Sequence, residues 1–229
     1  SRTMPFVAKV TGNQIIKAGT LLMLGYSIDE VRNKTKYLSS SSNKVAIKKA
    51  IFPWSRFPAE DTMLGPEMKA TGEVLGVGKE FGTALNKAYA AAGVEINNKE
   101  KGIFVTLSDS EKPNFIKTVN KYLELGFTLY STEGTGKFLK TNGIDSVIVG
   151  KADDLGQTSL TIIEDKLVSL VINTPTYANE LSDGWKIRRL SHETGVAVVS
   201  SVREADAFIE AFLNQNLVLD DLEVIQDVS

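Results

Sequence analysis

The sequence predicts an α/β protein: a doubly wound, five-stranded parallel sheet preceded by a smaller α+β region. Three observations carry that prediction. From Ile103 onward, short apolar runs alternate with amphipathic stretches of helical period. Strands that are apolar throughout are strands covered on both faces, which is the mark of a parallel sheet between helical layers. Before Ile103 the pattern is different, with Pro58, Pro66, Gly65, Gly72, Gly76 and Gly78 crowded into one stretch. The polar segment Glu95–Lys101 separates the two styles and is taken as a boundary, giving units 1–94 and 101–229.

In the first unit, Asn13 to Leu24 has helical spacing between Gly12 and Gly25. A second short helix starts at Ser27, with Asp29 and Glu30 in its first turn. Asn33 to Lys44, with Ser39-Ser40-Ser41-Ser42, reads as an exposed loop. Val45 to Phe52 reads as a strand stopped by Pro53, and Trp54 to Gly78 as a long irregular loop of the kind that is often functional. Lys79 to Ala92 is a helix with Phe81, Leu85, Ala88 and Tyr89 on its inner side, ended by Gly93.

The second unit runs strand, helix, strand in regular order. The five strands are Ile103–Leu107, Phe127–Tyr130, Ser146–Val149, Leu167–Ile172 and Val196–Val199. Ser108 and Glu111 have capping-box spacing ahead of a helix whose inner face is Ile116, Val119 and Leu123. Gly134–Asn142, Ser159–Asp165 and Asp183–Glu193 are the next helices. Ser201 and Glu204 repeat the capping-box spacing before a helix with Ala207, Phe208, Ala211 and Phe212. The tail from Val218 is acidic.

Bulk properties exclude several classes. Net charge is -2, so nothing draws the whole chain to nucleic acid or an anionic membrane surface. No apolar run approaches the roughly 20 residues of a membrane span. There is no cysteine, so disulfides and thiolate chemistry are excluded and a reducing, cytoplasmic setting fits. His192 is the only histidine, which excludes metal sites built on His or Cys; in a polar helix it is expected at the surface. Residues 1–4, Ser-Arg-Thr-Met, lack a Met at position 1, and a piece of a longer chain is expected.

One edge of the predicted sheet collects residues suited to an anion. Ligands of open parallel sheets lie at the carboxyl ends of the strands. There the chain places Lys112 after the first strand, the loop Ser131–Gly136 with Thr132 and Thr135 after the second, and Lys151 after the third. Asn173 and Thr174 follow the fourth. Hydroxyls and backbone N–H groups at a helix N-terminus bind phosphate, and two lysines supply charge. Taken singly, each lysine reads as a solvated surface charge and each threonine as a helix cap; the convergence makes the site.

Two nucleotide motifs fail. Gly134-Thr135-Gly136-Lys137 has Ser131 where a phosphate-binding P-loop needs glycine, and Phe138 where it needs Ser or Thr. Gly76-Val77-Gly78-Lys79-Glu80-Phe81 breaks the dinucleotide pattern at Phe81. Asp153-Asp154 reads as a solvated turn.

Three blocks in order resemble the large subunit of carbamoyl-phosphate synthase: Arg2-Thr3-Met4-Pro5-Phe6-Val7-Ala8-Lys9-Val10-Thr11-Gly12, then Phe57-Pro58 through Leu64-Gly65-Pro66-Glu67-Met68-Lys69-Ala70-Thr71-Gly72-Glu73-Val74-Leu75-Gly76, then Ser131-Thr132-Glu133-Gly134-Thr135-Gly136 with a later Val171-Ile172-Asn173-Thr174. The resemblance implies that 1–94 are the remnant of an ATP-grasp domain and 101–229 a methylglyoxal-synthase-like allosteric domain. It implies a regulatory nucleotide such as UMP, its phosphate held at Lys112, Thr132, Thr135, Lys151 and the Asn173-Thr174 segment, with Pro175 removing one donor of the family pattern. It further implies that Glu67 receives an effector or lies at an interface, and that Arg2 is the last arginine of an otherwise missing phosphate motif.

The parent enzyme implied is a ligase making carbamoyl phosphate from bicarbonate, glutamine-derived ammonia and ATP, with Mg2+ or Mn2+ and K+. Its partners are the remainder of the large subunit and a glutaminase small subunit, with homo-oligomers formed through the regulatory domain. No cofactor is expected in residues 1–229 themselves, nor ATP turnover by them alone. The rival is a methylglyoxal synthase-type lyase acting on dihydroxyacetone phosphate. That chemistry needs a carboxylate base in a Gly-Asp-Gln stretch after the third strand, where this chain has Ala152-Asp153-Asp154-Leu155-Gly156-Gln157.

Overall fold

In a computed structural model, which describes residues 3–36, 44–52, 54, 72–94, 96, 102–175 and 182–214, the described residues form two sheets. The chain opens with three helices, α1 (Thr3–Thr11), α2 (Ile15–Met23) and α3 (Ile28–Lys34). Ser27 caps α3 in a full capping box with Glu30. Asn33 and Lys34 thus belong to a helix rather than to the expected loop.

A two-stranded antiparallel sheet follows, β1 (Val45–Ala50) with β2 (Glu73–Gly78). β2 falls inside the stretch expected to be irregular. Its glycines look like loop residues in sequence but mark a close approach instead. A Cβ on Gly76 would lie 2.0 Å from the Ala84 carbonyl oxygen and 2.6 Å from the Ala88 nitrogen, both in helix α4 (Phe81–Ala91). The strand carries glycine because the helix backbone rests on it. The buried face of α4 is Gly82, Ala84, Asn86, Ala88 and Tyr89, while Phe81, expected inside, is 44% exposed.

The larger sheet contains β3 (Gly102–Thr106), β4 (Thr128–Ser131), β5 (Val147–Ile148), β6 (Val168–Asn173) and β7 (Ala197–Val199). All pair in parallel, in the order β5-β4-β3-β6-β7. The five-stranded parallel expectation holds. β6, next to the centre, is buried at every residue. The intervening helices are α5 (Lys112–Glu124), α6 (Glu133–Thr141), α7 (Ser159–Glu164), α8 (Asp183–Thr194) and α9 (Val202–Leu213).

Alternate strand residues serve two cores. Ile103, Val105, Leu129, Leu170 and Ile172 meet Phe115, Val119 and Tyr122 of α5, Leu139 of α6, and Phe208 and Phe212 of α9. Phe104 and Val171 meet Ile162 and Ile163 of α7 and Ile187 of α8 on the other face. The inner face of α5 is one step off the expected one: Phe115, Thr118, Val119 and Tyr122 are buried and Leu123 is 37% exposed. The Ser108–Glu111 capping box does not form, because α5 starts later, at Lys112, and Ser108 bonds Thr174 instead.

The two sheets share α4. Tyr89 meets Phe208 edge-on at 4.7 Å, and Tyr89 and Ile96 belong to the larger sheet's core. The Asn86 carboxamide donates to the carbonyls of Ala211 and Asn214 at the end of α9. Buried Trp54 stacks on Phe52 at 5.1 Å and lies 5.8 Å from the ring of His192 in α8. His192 keeps an exposed edge, as expected. Partial burial, with Lys49, Arg189 and Arg188 nearby, pushes its imidazole down to about 4, so it is neutral and weakly basic at pH 7. No described helix is long and apolar enough to cross a membrane.

Candidate functional site

The sheet order fixes where a site can be. After β3 the chain moves outward through β4 to β5, and after β6 it moves the opposite way to β7. The connections therefore diverge between β3 and β6, opening a crevice beyond their carboxyl ends. The expected residues follow β3, β4, β5 and β6 at that same carboxyl edge.

Thr135, 1% exposed in the first turn of α6, reaches across to the β3 loop. Its hydroxyl oxygen accepts the Leu107 backbone N–H at 3.1 Å and the Thr132 hydroxyl at 3.3 Å. A hydroxyl offers two acceptor positions and one proton. With both acceptor positions taken, Thr135 has a donor left to offer, which suits an anionic oxygen. Thr132 occupies the N-cap position of α6, yet its side chain makes no capping bond. The reading of these threonines as plain caps is therefore set aside.

Asn173 and Thr174 end β6 beside the same loop. The Thr174 N–H donates to the Thr106 carbonyl, and its hydroxyl accepts the Ser108 N–H at 2.7 Å and donates to the Ser108 hydroxyl at 3.3 Å. Thr174 thus ties the β3 and β6 ends together and has its proton engaged. Asn173, 3% exposed, accepts at Oδ1 from Arg188 Nη1 at 2.7 Å.

The lysines follow β3 and β5. Lys112 opens α5 with its side chain 16% exposed, pairing with Asp109 at 2.5 Å. That pair holds the Asp109 carboxyl below its ordinary range. Lys151 is exposed after β5, where its N–H donates to Asp154 Oδ2 at 2.7 Å. Its charge reaches the start of α6: the Glu133 carboxyl is lowered chiefly by Lys137, bonded at 2.6 Å, with Lys151 adding to the pull. Arg2 and Glu67 lie outside the described residues.

Sequence reasoning missed Arg188, which is 6% exposed on α8. A signal was present. The stretch from Asp183 to Thr194 has few apolar residues for a helix against a sheet, so an arginine on its inner face needs a polar partner. Asp153, the carboxylate nearest the rival's base position, is held by Lys186 through both oxygens at 2.7 Å. No cluster of three His, Cys, Asp or Glu suited to a metal occurs among the described residues.

Residues 114–200 match the MGS-like domain family. The chain is 36% identical over 225 residues to the carbamoyl phosphate synthase large chain, C-terminal section, of Aquifex aeolicus strain VF5, covering 92% of this chain and 42% of that protein. It is 35% identical over 219 residues to the corresponding section from Methanocaldococcus jannaschii, covering 92% of this chain and 35% of the relative. The carbamoyl phosphate synthase large chain of Lachnoclostridium phytofermentans is 36% identical over 215 residues, covering 93% of this chain and 20% of the relative. The chain thus spans less than half the length of these relatives. Kinship across nine-tenths of its sequence, with an MGS-like match on the parallel sheet, means that the chain belongs to the carbamoyl phosphate synthase large-chain family, in the region of its C-terminal section.

Proposed function

We propose that this chain is the regulatory portion of a carbamoyl phosphate synthase large subunit and binds a nucleoside monophosphate, UMP first, in the crevice between β3 and β6. The observation that carries the reading is the Thr135 hydroxyl, saturated as an acceptor and left with a proton at the same strand edge as Asn173, with Lys112 after β3 and Lys151 after β5. Donors and positive charge gathered at one strand edge are what a phosphate requires. The parent enzyme makes carbamoyl phosphate from bicarbonate, glutamine-derived ammonia and ATP in the cytoplasm, beside the glutaminase small subunit. Its ATP and metal chemistry belongs to the remainder of the large subunit, and no step of it runs through the residues described above.

Effector binding tunes that synthesis because the ligand favours one of two arrangements, a coupling typically worth about 1–3 kcal/mol. Residues 1–94, read as the remnant of the ATP-grasp domain, carry the signal. The packing of α4 on α9 and of Trp54 beside His192 supports that role.

Titration of UMP into the 229-residue chain tests the pocket. Lys151→Ala is expected to weaken binding about ten-fold, one charge-assisted contact's worth, and Lys151→Arg less. Thr132→Val is expected to weaken it too, since it removes the hydroxyl that loads Thr135. Equal affinities for all of these proteins would overturn the reading. The lyase alternative is disfavoured because the aspartates after the third strand are already engaged: Asp153 is bound by Lys186 and Asp154 holds the Lys151 turn. Incubation with dihydroxyacetone phosphate is expected to give no methylglyoxal above background, and turnover at an enzymatic rate would reverse that ordering.

A further inference from the structure

We infer that Arg188 is a positioning residue of the crevice: it fixes the Asn173 carboxamide so that only N–H donors face the ligand, and it thereby makes the site select a phosphorylated nucleoside over the neutral one. The inference rests on the reading of the crevice as a nucleotide site, and it assigns the source of the selectivity.

A carboxamide is ambivalent, with a donor end and an acceptor end of nearly equal shape. A guanidinium has five N–H donors and no acceptor. The 2.7 Å contact to Arg188 Nη1 can therefore be made only by Oδ1. Both residues are buried, 3% and 6% exposed, so water does not compete for the bond. Turning the amide over would set Nδ2 against a cation and lose a charge-assisted bond in a dry place. The orientation is thus fixed, and Nδ2 points away from Arg188, with no protein acceptor among the described residues.

The chain is built to bring this pair together. Side chains on a helix lean toward its N-terminus and cover the residue one turn earlier. The residue one turn before Arg188 is Gly184, in the first turn of α8. A Cβ there would lie 3.1 Å from Arg188 Nη1, 3.5 Å from Asn173 Nδ2 and 3.6 Å from Asn173 Oδ1. The missing side chain lets the guanidinium lie back along the helix and meet the last residue of β6. At the carboxyl end of the sheet this leaves two N–H donors on Asn173, whose register partner Thr106 precedes Leu107, the residue that bonds Thr135. An anionic oxygen satisfies both groups, whereas a neutral sugar hydroxyl competes with water for them.

The test compares UMP with uridine, by calorimetry on the 229-residue chain and its Arg188→Met, Arg188→Lys and Asn173→Asp variants, with Lys151→Ala as reference. Arg188→Met is expected to weaken UMP about ten-fold and leave uridine within about two-fold, so the preference between them collapses. Arg188→Lys, which keeps one donor, is expected to retain part of it. Asn173→Asp, which keeps the Arg188 bond but turns an oxygen toward the ligand, is expected to lose the most. In wild type, the Asn173 side-chain amide signal in a 15N spectrum should shift when UMP is added. That measurement stands even if a variant fails to fold. UMP binding weakened by Lys151→Ala but unchanged by a folded Arg188→Met, or an Asn173 amide signal unmoved by UMP, would overturn the role of Arg188 and leave the pocket standing. Wild type that binds no UMP would remove both.

Discussion

Replacing Phe208 with alanine is expected to destabilise the protein by about 3–5 kcal/mol, the usual loss for a large aromatic side chain deleted from a packed core. Phe208 is 1% exposed and lies where three elements meet. It faces Tyr89 of α4 edge-on at 4.7 Å and Phe212 of its own helix at 5.2 Å, and it closes the core over the central strands. Its surroundings cannot collapse easily, since α4 is held against α9 by the Asn86 bonds to the Ala211 and Asn214 carbonyls. The cavity would therefore persist, and cavity persistence is what raises the cost. Phe208→Leu, which fills most of the volume, should lose much less. Urea unfolding monitored by fluorescence and far-UV circular dichroism measures both. A loss below about 1 kcal/mol for Phe208→Ala would show that the α4–α9 contact is not a packed core.

The second large effect is expected from adding a single methyl group. In Gly76→Ala the new Cβ would meet the Ala84 oxygen at 2.0 Å and the Ala88 nitrogen at 2.6 Å. Both are helix backbone, so no rotamer change relieves the clash, and α4 must lift from β2. Overpacking of this kind typically costs about 1–3 kcal/mol. The damage should be local. Amide hydrogen exchange is expected to speed up in β1, β2 and α4, while β3 and β6, in the centre of the other sheet, stay protected. A contrasting change is Gly19→Ala in α2, where a Cβ meets nothing within 4 Å. There the methyl group should stabilise by about 0.5–1 kcal/mol through helix propensity. Equal melting temperatures for Gly76→Ala and wild type would mean that β2 and α4 are not in backbone contact.

Much of the candidate site was legible because its residues follow strands, and parallel strands share one carboxyl edge. Thr132, Thr135, Lys151, Asn173 and Thr174 needed only the alternation of apolar runs and helical stretches to be placed at that edge. What each one does there was not legible. Thr174 looked like a ligand donor and is engaged with Ser108, 66 residues away in the chain. The Ser108–Glu111 spacing promised a local cap, and the same distant partner won because it directly follows β6, the strand paired with β3. Arg188 was not singled out, because nothing local in the sequence names its partner, Asn173.

The order of apolar runs and helical stretches is enough to specify the parallel sheet, its helices and the edge of the candidate site. Those follow from the period of apolar residues, a local property that survives without knowledge of any contact. The tertiary structure alone decided that β2 is a strand, since its glycines are explained only by the helix lying on them. It also decided that Arg188 meets Asn173 at the end of β6 and that α4 joins the two sheets. These rest on close approaches between segments far apart in the chain, where a missing Cβ or a buried hydrogen bond has no periodic signature and takes its meaning from the partner it meets.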